Sequence, residues 1–154
     1  MGNSYIRKAT IQDANHVALN MREADKNEVM ASDGELPVPA VLRAYNRSDK
    51  CLSLIIDDEA ACVFGVAPLS LLGSVGSPWM LGTDLITKNP LTFLRKSQNV
   101  VLDMQKSYAT LINYIDSRNE FSLAWAKWVG FDVSEDTELR GPFNMPFHRF
   151  ELRK

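Results

Sequence analysis

Cysteine and histidine are scarce, with two of each in 154 residues. So few cysteines exclude a disulfide-stapled fold. Cys51 and Cys62 flank a turn-like Asp57-Asp58-Glu59, and a hairpin there sets Cys62 opposite a residue near Leu54, not opposite Cys51. A disulfide needs Cα atoms within about 7 Å, so two free thiols in a reducing compartment are expected. His16 and His148 have no cysteine or carboxylate at metal-ligand spacing, so no metal site is expected. No Gly-x-Ser-x-Gly or Cys–His signature supports nucleophilic catalysis. No apolar run approaches the ~18 residues of a membrane helix. Met1 to Arg7 is polar and lacks the apolar stretch of a secretory signal. Basic residues are not in excess: the net charge is −2, which argues against a nucleic-acid footprint. The pairs Arg7-Lys8, Arg95-Lys96 and Arg153-Lys154 read as solvated surface. Glycine is missing altogether between Gly82 and Gly130.

What is present is ordinary globular composition, 45% apolar and 23% charged. The length suits one domain by the prior of roughly 100–200 residues each. Tyr5 to Lys8 reads as a strand. Thr10 is a helix N-cap with Asp13 behind it, and Ile11, Ala14, Val17, Ala18 and Met21 recur at helical spacing. Arg22 to Glu35 is mostly polar and reads as a loop region ending in an Asp33-Gly34 turn. Pro37 and Pro39 lead a second helix to about Arg47. Cys51–Asp57 and Ala60–Ala67 form a hairpin, Leu69–Pro78 a Gly/Ser loop, and Trp79–Ile86 an apolar strand. Gly82 inside that strand suggests a bulge or a close backbone approach. Pro90 opens a long helix to about Ser107, Leu111–Ile115 is a strand, and a last helix and two closing strands follow. The expected order, β α α β β β α β α β β, is that of an α/β (α+β mixed) fold with a mixed sheet.

The last helix carries a sharper signal. Asn119 suits its N-cap, and Gly130 suits the left-handed residue that ends it. Asn119, Gly130 and Phe131 match the pattern N-x-x-A-x-x-x-Y-x-x-x-G-F at the right spacing, with Ser122 at its first small position, and this stretch resembles the final helix of the GNAT acyl-CoA N-acetyltransferases. Ala126 stands at the pattern's Tyr position. The element order and the opening around Ile6-Arg7 extend the resemblance over most of the chain. It implies a single GNAT-like domain with a central mixed sheet of about seven strands and helices on both faces.

The resemblance also implies acetyl-CoA as cofactor, its pantetheine arm along the fourth strand and its pyrophosphate at the next helix N-terminus. The matching residues are Leu81, Gly82 and Thr83 on the strand, Lys88 and Asn89 before the helix, and Asn119. The family's phosphate loop, [QR]-x-x-G-x-[GA], falls on Leu85–Leu94, which has no glycine, and Pro90 deletes one N–H donor. Weak or absent acyl-CoA binding is therefore expected. Asp84, two residues past Gly82, is the candidate acid/base. Glu23, Asp25 and Glu28 cluster where family substrate loops lie, and suit either a cationic amine or a solvated loop. Tyr108 and Tyr114 read as core or rim aromatics, and Trp125 and Trp128 as core or partner-facing anchors.

A second set of residues is scattered along almost the whole chain: Asn20-Met21-Arg22, Cys62-Val63-Phe64-Gly65, Trp79, Leu81 to Asp84, Thr87-Lys88, Phe93-Leu94-Arg95, Asp116, Arg118-Asn119, Trp125, Lys127-Trp128 and Gly130-Phe131. Together they resemble the small internal virion proteins of short-tailed phages, a GNAT-like group. That resemblance implies a bacteriophage product acting in virion assembly or binding a virion or host protein. Its location would be the cytoplasm of an infected bacterium or the virion. The alternative is a working acyl-CoA N-acetyltransferase acting on an amine of a small molecule or protein.

Overall fold

A computed structural model describes residues 3–70 and 72–154. Among the described residues, seven strands form one mixed sheet, ordered β1-β2-β3-β4-β5-β7-β6, with six helices packed on it. Strands β1 (Ser4–Lys8), β2 (Lys50–Ile56), β3 (Glu59–Pro68) and β4 (Val75–Gly82) run antiparallel in sequence. Strand β5 (Thr110–Asp116) lies parallel to β4, and the hairpin β6 (Asp132–Arg140) and β7 (Met145–Arg153) completes the sheet through β7.

Local chemistry explains most element ends. Thr10 and Asp13 close a reciprocal capping box at α1 (Ile11–Leu19). Asp57 and Asp58, at φ 50° and 65°, make the tight turn between β2 and β3 and pair Leu54 with Cys62, as the spacing predicts. Proline starts both α3 (Pro37–Arg47) and α5 (Pro90–Gln105). Asn119 caps α6 (Glu120–Val129) by accepting the Ser122 N–H, and Gly130 ends it at φ 108°.

Three expectations are corrected. The polar stretch after Arg22 is a helix, α2 (Glu23–Asp33): its inward positions include Asp25, so apolar periodicity alone misses it. Strand β4 begins at Val75, inside the expected loop, and ends at Gly82, where a short helix α4 (Leu85–Lys88) follows. The β3–β4 ladder runs without a register shift from Pro68↔Gly76 to Cys62↔Gly82, so Gly82 makes no bulge there. A Cβ on Gly82 would sit 2.8 Å from Ile86 Cδ1 and 3.2 Å from Cys62 Cβ, so close packing explains the glycine.

The two faces of the sheet carry separate cores. Helices α1, α2 and α3 cover Ile55, Val63 and Leu81 with Val17, Val29 and Val41. Helices α5 and α6 cover Leu54, Phe64, Met80 and Leu111 with Phe93, Val101 and Trp125. Phe93, Phe121, Trp125, Phe131 and Phe150 form a chain of ring contacts through this second core.

Candidate active site

Strands β4 and β5 pair only at Val75↔Thr110 and Gly76↔Leu111, then splay apart. Beyond that point the inner edge of β4 has lost its neighbour. Its even-numbered residues present their main chain to the gap, because Ser74 O accepts from Thr110 N and Pro78 O from Asn113 Nδ2 at 2.7 Å. Gly82, at the far end, is engaged by the α1–α2 corner: its C=O accepts Arg22 N–H at 2.9 Å and its N–H donates to Asp25 Oδ2 at 2.9 Å. Met80 lies between them; it stands at a non-hydrogen-bonded pair with Phe64 and beyond the last β4–β5 rung, so its main-chain N–H and C=O face the gap.

A buried polar cluster closes the wide end of the gap. Arg22 donates to Asp25 Oδ1 at 2.9 Å, and Asn119 Nδ2 donates to Asp25 Oδ1 at 3.1 Å and to Glu28 Oε1 at 3.2 Å. Glu28 Oε1 also accepts the Asp116 N–H at 3.0 Å. Asp116 holds Arg118 in a bidentate pair, with contacts of 3.0 and 2.6 Å. Burial is the main influence on Asp25 and raises its carboxyl, against the pull of Arg22 and the Gly82 N–H. Burial, then the Asp25 charge, push the Glu28 carboxyl up to about 8.

A cavity of about 260 Å³ runs through the splay, with Glu28 on its wall. Residues from α2 and α3 line it on one face of the sheet, and Ser122 and Trp125 of α6 on the other. Its mouth holds Arg43, Arg47 and Arg140. Glu28 Oε2 has no hydrogen bond among the described residues, which leaves it for whatever enters. With its carboxyl pushed up to about 8, Glu28 holds its proton at neutral pH and can accept one from an incoming amine once ionised at higher pH.

The expected site residues divide sharply. Asp84 is exposed on the turn after β4 and is not among the cavity's lining residues. Leu81 packs into the α1–α3 core. Thr83 donates from both N–H and Oγ1 to Ala61 O, at 2.9 and 3.0 Å. Asn89 Nδ2 donates to Leu85 O at 3.0 Å, and Lys88 is exposed. Asn119 is buried with both ends of its amide engaged. Of the acidic trio, Glu23 is exposed, whereas Asp25 and Glu28 enter the cluster. A signal existed in the sequence: Arg22, Asp25 and Glu28 recur every third residue, which puts them on one helical face.

The α5 N-terminus, where the resemblance would seat a phosphate, contributes no residue to the cavity lining. Pro90 offers no N–H, and Asn89 makes no side-chain cap. The Leu91 and Thr92 N–H groups have no acceptor among the described residues, and they retain the positive end of the helix. Met80 thus offers an open main-chain edge and α5 a helix end with two free donors, the two features an extended arm and an anion would each use.

No family model and no curated protein matches the sequence. Solved structures do match in shape. The ribosomal-protein-alanine N-acetyltransferase of Brucella melitensis superposes with a TM-score of 0.74 at 13% identity, over 97% of this chain and 99% of that one. An acetyltransferase of the GNAT family from Streptococcus pneumoniae gives 0.67 at 14%, covering 99% and 100%. The fold is the GNAT fold. The yncA structure of Salmonella typhimurium, solved with its cofactor acetyl-CoA, gives 0.72 at 11% identity, over 98% and 94%. These identities establish the GNAT architecture and nothing finer, and the narrower phage resemblance gains no support from them. No helix of the described residues is long and apolar enough to cross a membrane.

Proposed function

We propose that this GNAT-fold protein is an acyl-CoA-dependent N-acyltransferase that seats its acceptor amine in the cavity beside Glu28. The observation that carries this reading is the through-going cavity at the splay, with a free main-chain rung at Met80 and the unpartnered Glu28 Oε2 on its wall. Acyl-CoA supplies the activated thioester carbonyl. Glu28 Oε2 takes the proton that the amine nitrogen must shed as its bond to the acyl carbon forms, while Asn119 and the Asp116 N–H hold Oε1 in place. The C–S bond breaks, and the departing thiolate is protonated by water, since Ala126 has nothing to donate.

A second reading is a protein that uses this fold to bind a virion or host partner. It is favoured by the glycine-free stretch before α5 and by Asp25, which occupies the Gly82 N–H. Incubation with acetyl-CoA and a panel of amines, read by mass spectrometry, separates the two. Under the first reading a product gains one acetyl group, and Glu28→Gln turns over at least about tenfold more slowly than Asp84→Asn. No product from any amine, together with no acetyl-CoA binding, would leave partner binding as the function.

A further inference from the structure

Two cationic side chains at the cavity mouth have no role in the reaction above. Arg47 ends α3 and Arg140 ends β6, and both line the cavity that reaches Glu28. Both also line an adjoining cavity of about 370 Å³ over Pro68, Leu69 and Ile112, so they stand where the two spaces meet. The third arginine at the mouth is already neutralised: Arg43 pairs with Asp33 at 3.0 Å and Glu35 at 2.7 Å. Arg47 has no carboxylate at ion-pairing distance among the described residues. Arg140 lies over the Tyr114 ring, 3.6 Å from its centroid, and meets Glu138 only at 4.0 Å. Stacking on an aromatic face holds a guanidinium in one plane and leaves its N–H edge open to a planar or tetrahedral anion.

The cavity is therefore polarised, with the unpaired Arg47 and an Arg140 offset only by its long contact to Glu138 at its mouth, and the Glu28 carboxyl within. A simple alkylamine would leave the arginines idle and would meet their repulsion on entry. An amine that also carries an anion satisfies both ends, and Arg is the side chain whose fork matches carboxylate and phosphate oxygens in pairs.

We propose that the acceptor is a small amine bearing an anionic group, a carboxylate or a phosphate, held by Arg47 and Arg140 while its nitrogen reaches Glu28. The identity of the reaction rests on the acyl-transfer reading above, but the anion subsite does not. Calorimetric titration of the full chain therefore uses four probes: an α-amino acid, an aminoalkyl phosphate, the parent alkylamine, and the alkyl phosphate without its amine. The amino acid and the aminoalkyl phosphate, compared with each other, identify the anion. The better of them is expected to bind at least tenfold more tightly than the alkylamine, and to weaken as salt is raised. Arg47→Ala and Arg140→Ala should each cut that preference at least fivefold, and Arg47→Gln should repeat the effect. Both arginines are exposed, so an unchanged melting temperature is the control for folding. Equal binding of the alkylamine and the zwitterions would overturn the proposal. So would arginine variants that keep the preference, or acceptance only of peptide N-termini that carry no nearby anion. Tight binding of a zwitterion without acetylation would keep the subsite and reject the acyltransferase. Acetylation of alkylamines with no zwitterion preference would do the reverse.

Discussion

Asp25 accepts the main-chain N–H of Gly82, 57 residues further along the chain, at 2.9 Å. A helix side chain thus fills the hydrogen-bonding place that a fifth strand would have taken at the end of β4. The same carboxylate pairs with Arg22, and both residues are almost fully buried.

Asp25→Ala should be severe. It leaves the Arg22 charge buried without its partner and strips the Gly82 N–H, a combination that typically costs roughly 3–5 kcal/mol. Against a total of about 5–15 kcal/mol for a domain, that loss is readily seen in urea unfolding. Asp25→Asn keeps an acceptor for Gly82 and should lose less. A wild-type midpoint for Asp25→Ala would show that the cluster contributes nothing to stability.

Glu28 sets a pH dependence. The groups facing it are Asp25 on its own helix, Asp116 and Arg118 at the end of β5, Asn119, and Arg22 beyond them. Its carboxyl titrates at about 8 in the fold, against 4.5 ordinarily. The folded state therefore holds more protons between these values, and this contribution to stability is complete below the lower one and lost as pH rises through the upper. Unfolding free energy should fall from about pH 5 to 8, and Glu28→Gln should flatten that stretch. Parallel curves for the two proteins would place the titration elsewhere.

The parts of this molecule that were legible in its sequence are the local ones. Thr10, Asn119, Gly130, the Asp57-Asp58 turn and the Leu54–Cys62 register each follow from a few neighbouring residues. Helix α2 was hidden because its buried face mixes Asp25 with Val29 and Ala31, and a charge on a core position reads as surface. The cluster that closes the splay was hidden for another reason. Asp25 and Asn119 are 94 residues apart, Glu28 and Asp116 are 88 apart, and no periodicity reports on such pairs.

Gly65 gives a packing test. A methyl group there would overlap the indole of Trp79, directly across the β3–β4 ladder. The Trp79 Nε1–H, on the edge of the ring the methyl would meet, donates to Ser48 Oγ at 2.7 Å, so moving the ring aside strains or breaks that bond. Gly65→Ala should cost about 1–3 kcal/mol and shift the Trp79 indole N–H resonance as the Ser48 bond breaks. A stable variant with that resonance unmoved would mean the ring has room to slide.

Acetyl-CoA should bind, but weakly. Pro90 removes one donor from the helix end and no glycine loop replaces it, leaving the Leu91 and Thr92 N–H groups as the main-chain donors. Titration should give a dissociation constant above about 10 µM; a low-micromolar value, near −8 kcal/mol, would show that other groups hold the phosphates.

The narrow seam between β4 and β5 bears on the order in which the molecule assembles. Strands β2, β3 and β4 are joined by short connections and can zip in succession. The panel of β5, β6 and β7 pairs with β4 through only two rungs and the Asn113–Pro78 bond, while Asp25 and Glu28 of α2 bridge Gly82 to Asn119 and the Asp116 N–H, and the core under α5 and α6 spans both sides. Closing such long loops is entropically slow. The carboxyl-terminal panel is accordingly the last to dock and the first to swing away. Its amide protons at the seam should exchange through a partial opening well before the rest of the sheet lets go.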